Sequence, residues 1–287
     1  MKRCLVLVGF ALSLPGPASA AASREKASSG HVRAELVAET TALVAGQRNW
    51  VGLRLAHQPH WHTYWINPGD SGLPTKLTWR LPATVTAGEI AWPAPRRFEV
   101  GGLFNFGYGG DVVLLIPLDV AGAAKPGARV ELVADARWLV CREECVPGKA
   151  TVKLKLPVAA RASPDPRTRK LFAAAHAAQP VASSWSGQAH LAGDRIEVTL
   201  SGENLPPAES LDVFVVQRQV VAYARPQIVA GDGGVNLTFA KSEYLTGAPV
   251  ALDLIVIDGR PPEAHARSVT VPFAASAAAA DPPSANP

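Results

Sequence analysis

The chain has 287 residues, 48% of them apolar, with 28 basic and 24 acidic side chains and a formal net charge of +4. Such a length can bury one large core or two medium ones without covalent staples. The near balance of charge gives no footing to nucleic acid or an anionic membrane surface as partner. No GxGxxG, P-loop, GxSxG or HExxH pattern occurs, which leaves nucleotide-binding, serine-hydrolase and zinc-protease readings without support.

The chain opens MKRCLVLVGFALSLPGPASAAAS. Lys2 and Arg3 precede an apolar run from Cys4 to Leu14, and Ala18-Ser19-Ala20 supplies small residues at the cleavage positions. This pattern predicts a signal peptide over residues 1–20, removed together with Cys4. The run is shorter than the roughly 20 apolar residues that span a bilayer. Later apolar stretches such as DVVLLIPL and DLIVIDG are strand-sized, so no membrane span of its own is expected. Losing Lys2 and Arg3 takes the basic count from 28 to 26 against 24 acids, a net charge of +2. The expected product is soluble and periplasmic, in a compartment that permits disulfides.

Beyond the leader, apolar and polar residues alternate. Val51, Leu53 and Leu55 share one face of a strand, as do Leu77, Trp79 and Leu81. The same period recurs at Val152/Leu154/Leu156, Ile196/Val198/Leu200, Val235/Leu237/Phe239 and Val269/Val271/Phe273. Period two over short runs broken by Pro and Gly signals half-buried antiparallel strands. Many such strands at modest spacing predict an all-β fold of two immunoglobulin-like sandwiches. Ser163 to Pro180, SPDPRTRKLFAAAHAAQP, breaks the period. It is Ala-rich, starts at Ser/Asp capping candidates and ends at a proline, which predicts a short helix joining the two. The first sandwich is expected over residues 30–160, the linker helix over 163–180 and the second sandwich over 181–274. The low-complexity end, 275–287, reads as a disordered tail.

Cys141 and Cys145 lie in WLVCREECVPG. On a continuous strand their Cα atoms would be about 13 Å apart, whereas a disulfide needs them within about 7 Å. A bond therefore requires a turn across Arg142-Glu143-Glu144, and three charged residues suit one that faces solvent. Closing so short a loop contributes only about 2 kcal/mol, against nearly 5 for a loop of about 100 residues. That makes a poor staple. An accessible pair on a turn is better placed for thiol–disulfide exchange. Redox exchange, an inert staple and metal ligation all stay open at this point. Arg142 favours a thiolate and Glu143 and Glu144 oppose it. These two glutamates, like Asp135, are candidate proton acceptors but read more simply as solvated charges.

His57, His60 and His62 fall within six residues. On a strand His60 and His62 would share a face, and with a thiolate they could form a copper or zinc site. Beside Trp61, Tyr64 and Trp65, packed and hydrogen-bonded histidines are the commoner outcome. No cofactor is expected, and copper is the one metal worth testing. NPGDSGLP, Asn67 to Pro74, reads as a turn-rich connection.

Four stretches then coincide in order: HWHTYWINPGDSGLPTKLTWRLP, GEIAWPAPRRF, FGYGGDVVLLIPL and WLVCREECVPGKATVKLKLPV. Together they resemble the periplasmic N-terminal region of the DsbD/ScsB family, the membrane thiol:disulfide interchange proteins whose ScsB branch is linked to copper tolerance. The resemblance implies an immunoglobulin-like domain with Cys141 and Cys145 as its redox pair. Electrons would arrive from a membrane-embedded donor and pass to periplasmic proteins of thioredoxin fold. It also implies an aromatic cap over the cysteines, for which Phe104, Phe106 and Tyr108 are the candidates. Full-length members continue into a membrane domain and a thioredoxin-like domain, so the donor here is expected to be a separate protein. The three-residue spacing between the cysteines favours the ScsB-like branch. If active, the chain would be an oxidoreductase of the protein-disulfide reductase type. The rival readings are a non-enzymatic binding or adaptor module, copper-linked and with a structural disulfide, and a purely structural immunoglobulin-like domain.

Overall fold

The computed structural model describes residues 23–259 and 264–274. The predicted signal segment with Cys4, and the predicted tail 275–287, lie outside the described residues. What is described is all-β with one α-helix, in two immunoglobulin-like sandwiches.

The first contains β1 (Ser23–Ser29), β2 (Val32–Ala38), β3 (Leu43–Val44), β4 (Arg48–His57), β5 (His62–Gly69), β6 (Lys76–Arg80), β7 (Val85–Ala87), β8 (Arg96–Val100), β9 (Leu103–Gly109), β10 (Asp111–Val120), β11 (Arg129–Cys141) and β12 (Cys145–Ala159). One sheet runs β7-β10-β4-β2-β1 and the other β1-β12-β11-β5-β9-β8, with β3 against β12 and β6 against β11. They meet in β1, which pairs with β12 through Ser23–Glu25 and with β2 through Lys26–Ser29. Inward positions are those the period-two pattern marks: Val51, Leu53, Leu55, Val152, Leu154 and Leu156 have no exposed surface. Burying each such side chain contributes roughly 1.5–3 kcal/mol.

The helix, α1 (Arg169–Ala177), occupies only the middle of the predicted segment. Before it the chain is held extended: Asp165 donates its backbone N–H to the Glu39 carbonyl and Ser163 accepts from Thr41. Thr168, at the N-cap, turns its hydroxyl to the Ala38 carbonyl, 2.6 Å away, instead of capping the helix. Phe172 and Ala175 pack on Val37, Val113 and Leu115. The helix thus covers the outer face of the first sandwich.

The second sandwich has β13 (Val181–Ala182), β14 (Ser186–Ala192), β15 (Arg195–Ser201), β16 (Leu211–Val215), β17 (Gln227–Gly231), β18 (Gly234–Ala240), β19 (Ala251–Asp258) and β20 (His265–Pro272). Its sheets run β13-β20-β19-β16 and β14-β15-β18-β17. Phe214, Tyr223 and Ile255 of this unit belong to the same apolar cluster as the first sandwich's core. Two polar side chains bridge the units, Asn67 buried and Arg97 half-buried. Asn67 donates to the Val215 and Gln217 carbonyls at 2.8 and 3.2 Å. Arg97 donates to the Asp212 carboxylate and to the carbonyls of Val213 and Tyr223.

Candidate redox site

The site sits at the tip of the β11–β12 hairpin, whose ladder runs in register from Arg129↔Pro157 to Cys141↔Cys145. Arg142-Glu143-Glu144 closes the turn, with the Arg142 N–H donating to the Glu144 carbonyl at 3.1 Å. The cysteines are thereby 4.2 Å apart at Cα and are joined by a disulfide. All three turn residues face solvent. Arg142 reaches Glu143 at 3.8 Å and lies 5.6 Å from the Trp61 ring centroid. The charged tip is therefore solvated, as its composition predicts.

The two sulfurs differ in environment. Cys141 is 3% exposed, whereas Cys145 is open to solvent. On the other side of β11, Cys141 pairs with His62 of β5, which brings the HTY segment alongside the disulfide. Tyr64 has no exposed surface. Its hydroxyl donates to Cys141 Sγ at 2.7 Å and lies 3.5 Å from Cys145 Sγ. Burial raises the Tyr64 pKa, with the neighbouring Ser71 side chain opposing the shift. The phenol therefore keeps its proton at neutral pH and stays a donor.

The NPGDSGLP loop holds this tyrosine. Gly72, at φ +98°, lies against the ring so closely that a Cβ there would fall 2.2 Å from Tyr64 Cε1. Asp70 exchanges two hydrogen bonds with the Phe104 backbone, donating to its carbonyl at 2.9 Å and accepting its N–H at 2.7 Å. Ser71 donates to Asn105 Oδ1 through both its amide and its hydroxyl. A segment that reads as a plain connection in the sequence is thus part of the site. On the opposite side Gly107 opposes Tyr64, where a Cβ would collide with the Thr63 carbonyl at 1.9 Å. The glycine lets β9 close on β5.

The aromatic candidates on β9 are placed elsewhere. Phe106 is buried against Phe214 and Tyr223 of the second sandwich, at centroid distances of 4.9 and 5.5 Å. Tyr108 is buried and donates to the Pro93 carbonyl at 2.8 Å. Phe104 is half-buried and anchors the loop through its backbone. The aromatic group on the sulfurs is Tyr64, which the sequence shows only as one of several aromatics beside the histidines.

The three histidines also part company. His57 bonds the Gly110 carbonyl at 2.7 Å and Thr63 Oγ1 at 2.9 Å, and burial lowers its pKa. His60 is exposed in a left-handed turn at φ 70°. His62 is 1% exposed and stacked on Phe98 at 4.4 Å. Its Nε2 has no partner, and burial, aided by His57, lowers its pKa to about 4. Among the described residues, no three His, Cys, Asp or Glu side chains converge as a metal site. Asp135 is tied to Arg80 and to Thr151 on the sheet surface, and these contacts lower its pKa.

Comparison with known proteins places this geometry. Residues 33–157 match the family described as thiol:disulfide interchange protein DsbD, N-terminal. Both cysteines and Tyr64 lie within that span. No curated protein sequence matches the chain. Among solved structures, the N-terminal periplasmic domain of ScsB from Proteus mirabilis superposes with a TM-score of 0.60 at 18% identity, covering 84% of this chain and 94% of that one. That likeness extends over both sandwiches and shows a shared fold. A chaperone–adhesin complex of the Csu pili of Acinetobacter baumannii reaches a TM-score of only 0.23 at 8% identity, covering 84% and 99%, and carries no argument. The first sandwich, with both cysteines in it, is thus similar to the family described as thiol:disulfide interchange protein DsbD, N-terminal, and shares its fold with the ScsB domain.

Proposed function

We propose that the chain is a periplasmic thiol–disulfide interchange module in which Cys145 exchanges with partners and Cys141 resolves. One observation carries the reading: the disulfide is asymmetric, with one sulfur open to solvent and the other buried under a phenol O–H. Two likenesses support it: the matched family is described as thiol:disulfide interchange protein DsbD, N-terminal, and the ScsB domain of the same fold is periplasmic. Among the described residues no helix is long and apolar enough to cross a membrane. Export through the predicted signal segment fits both.

Attack on a disulfide requires access along the S–S axis, and the thiolate with the lower pKa leaves faster. A partner thiolate reaches Cys145 Sγ. The partner–Cys145 bond forms as the Cys141–Cys145 bond breaks, and Cys141 departs with the bonding pair. The negative charge therefore develops on the sulfur that Tyr64 already faces. Hydrogen bonds to ionised groups are shorter and stronger than neutral ones, so the contact tightens as the bond breaks and Cys141 becomes the better leaving group. Cys141 then takes a proton. The partner's second thiolate attacks the partner's own sulfur in the mixed disulfide and releases Cys145 as a thiolate, which takes the second proton. Two electrons and two protons have moved from the partner's dithiol to this chain, and the partner holds the new disulfide. Reduction of an oxidised acceptor is the reverse, with Cys145 thiolate attacking.

The donor in this reading is a membrane-embedded dithiol protein and the acceptor a periplasmic protein of thioredoxin fold. The exchange calls for no cofactor, since electrons travel as sulfur–sulfur bonds. Trapping tests it. Cys141→Ala should accumulate a mixed disulfide through Cys145 with an oxidised thioredoxin-fold protein, and Cys145→Ala should accumulate far less. No mixed disulfide from either variant would turn the reading to an adaptor with a fixed disulfide.

A further inference from the structure

The second sandwich carries no cysteine, yet its contact with the first lands on the loop that holds Tyr64. Asn67 sits at the junction with no exposed surface. Its amide N–H groups point out of the first sandwich to the Val215 and Gln217 carbonyls, at the end of β16 and just beyond it. Its Oδ1 points back into its own loop and accepts the Gly69 N–H at 3.3 Å. From Gly69 the chain runs through Asp70 and Ser71, pinned on Phe104 and Asn105, to Gly72 on the Tyr64 ring. The ring ends in the hydroxyl on Cys141 Sγ. The links at Asn67, Ser71 and Tyr64 are buried or half-buried, and the Asp70–Phe104 bond between them is exposed.

Other features of the interface support a defined docked position. Arg97 of β8 lies between Phe106 of the first sandwich and Phe214 of the second, 4.7 and 4.8 Å from the ring centroids, and is bonded to Asp212. An arginine desolvated between two rings and paired with a carboxylate fixes orientation as well as distance, because the planar guanidinium must match both. Phe106 adjoins Asn105, the acceptor for Ser71, so this clamp bears on the same loop.

We infer that Asn67 is a positioning residue: docking of the second sandwich, transmitted through Asn67 and the 67–74 loop, holds the Tyr64 hydroxyl on Cys141 and so sets how fast the disulfide exchanges. The inference rests on the interchange reading for its biological meaning, but its physical content is a coupling between interface and disulfide. A lost hydrogen bond at Asn67 frees the loop, the phenol loses its aim, and Cys141 departs with its charge unrelieved. The second sandwich is then a control element for the first.

The test is the rate at which dithiothreitol reduces the disulfide in the full chain at pH 7, followed by thiol trapping. Asn67→Ala is expected to slow reduction about five- to tenfold, the scale of losing a hydrogen bond to a developing charge. Arg97→Met loosens the interface without altering any residue of the 67–74 loop and is expected to slow it in the same direction. It decides the matter if Asn67→Ala gives no folded protein. In a Tyr64→Phe background neither substitution should slow reduction further, because the hydroxyl they position is gone. Loss of folding stability alone would not produce that non-additivity. Unchanged rates in folded variants, or full slowing retained in the Tyr64→Phe background, would overturn the inference. Because dithiothreitol stands in for the partner, a failure to trap any thioredoxin-fold protein would defeat the interchange reading while leaving this result intact.

Discussion

Arg97 and Phe214 join the two sandwiches, the guanidinium of one lying 4.8 Å from the ring centroid of the other. The same guanidinium faces Phe106 from the first sandwich and ion-pairs with Asp212, and its side chain is only 10% exposed. Arg97→Ala removes the cation and leaves Phe106, Phe214 and the Tyr223 carbonyl without it, while Asp212 keeps Arg225 at 3.1 Å. The expected loss is about 2–4 kcal/mol, the range for breaking a desolvated ion pair with its ring contacts. Urea unfolding followed by tryptophan fluorescence measures it. A loss under half a kcal/mol would mean that the interface is not part of the stable fold.

After reduction the two thiols should differ in reactivity as they differ in exposure. Iodoacetamide is expected to modify Cys145 at least about tenfold faster than Cys141, since rate follows access and thiolate fraction. Peptide mass spectrometry at short times separates the two. Equal labelling would remove the basis for assigning Cys145 as the exchanging sulfur.

Tyr64→Phe deletes one oxygen beside the disulfide and preserves the ring on which Gly72 packs. Reduction by a small dithiol should slow by about tenfold, corresponding to a hydrogen bond to an ionised acceptor. Folding stability should change much less than the rate. Because burial raises the phenol's pKa, the wild-type advantage should persist from pH 6 to pH 9. An advantage that vanished below pH 9 would point to an ionising group other than Tyr64.

His62 makes stability pH-dependent. Its folded-state pKa is lowered from 6.5 to about 4 by burial and by His57. The unfolded chain therefore takes up a proton that the folded one refuses. Stability is complete above about pH 6.5 and falls as the pH drops toward 4, by roughly 3 kcal/mol for this group. His62→Phe keeps an aromatic stack on Phe98 and has nothing to protonate. Urea midpoints at pH 7.5 and 4.5 should converge in the variant more than in the wild type. Equal pH responses would show that His62 does not contribute.

Much of this architecture is legible in the sequence because half-buried strands have a period of two and core positions follow it. Val152, Leu154 and Leu156 are buried as the alternation requires. The turn that closes the disulfide is legible too, because chain geometry forbids the bond otherwise and Arg142-Glu143-Glu144 suits only solvent. The helix starts later than its capping candidates suggest because residues 163–165 bond to residues 39–41, a pairing distant in sequence. Tyr64 was hidden for a related reason. Which of several aromatics meets Cys141 depends on the β5–β11 register, Cys141↔His62, and on the β9 register that shifts between Tyr64 and Gly69. Nothing local in HTYWINPGD encodes either. Asn67 was hidden more deeply, since its partners are backbone carbonyls of the other sandwich, and a carbonyl has no sequence signature.

The long ladder of β11 and β12 has a kinetic consequence. Its register holds Cys141 opposite Cys145 by many hydrogen bonds that do not depend on the sulfur–sulfur bond. Once a partner is attached to Cys145, the freed Cys141 thiolate stays beside it at an effective concentration of the kind that well-oriented intramolecular groups reach, many orders of magnitude above any solution thiol. Recapture is therefore always close at hand. In the proposed interchange the covalent complex would therefore be short-lived in the intact protein, each encounter ending quickly in either completed transfer or clean release.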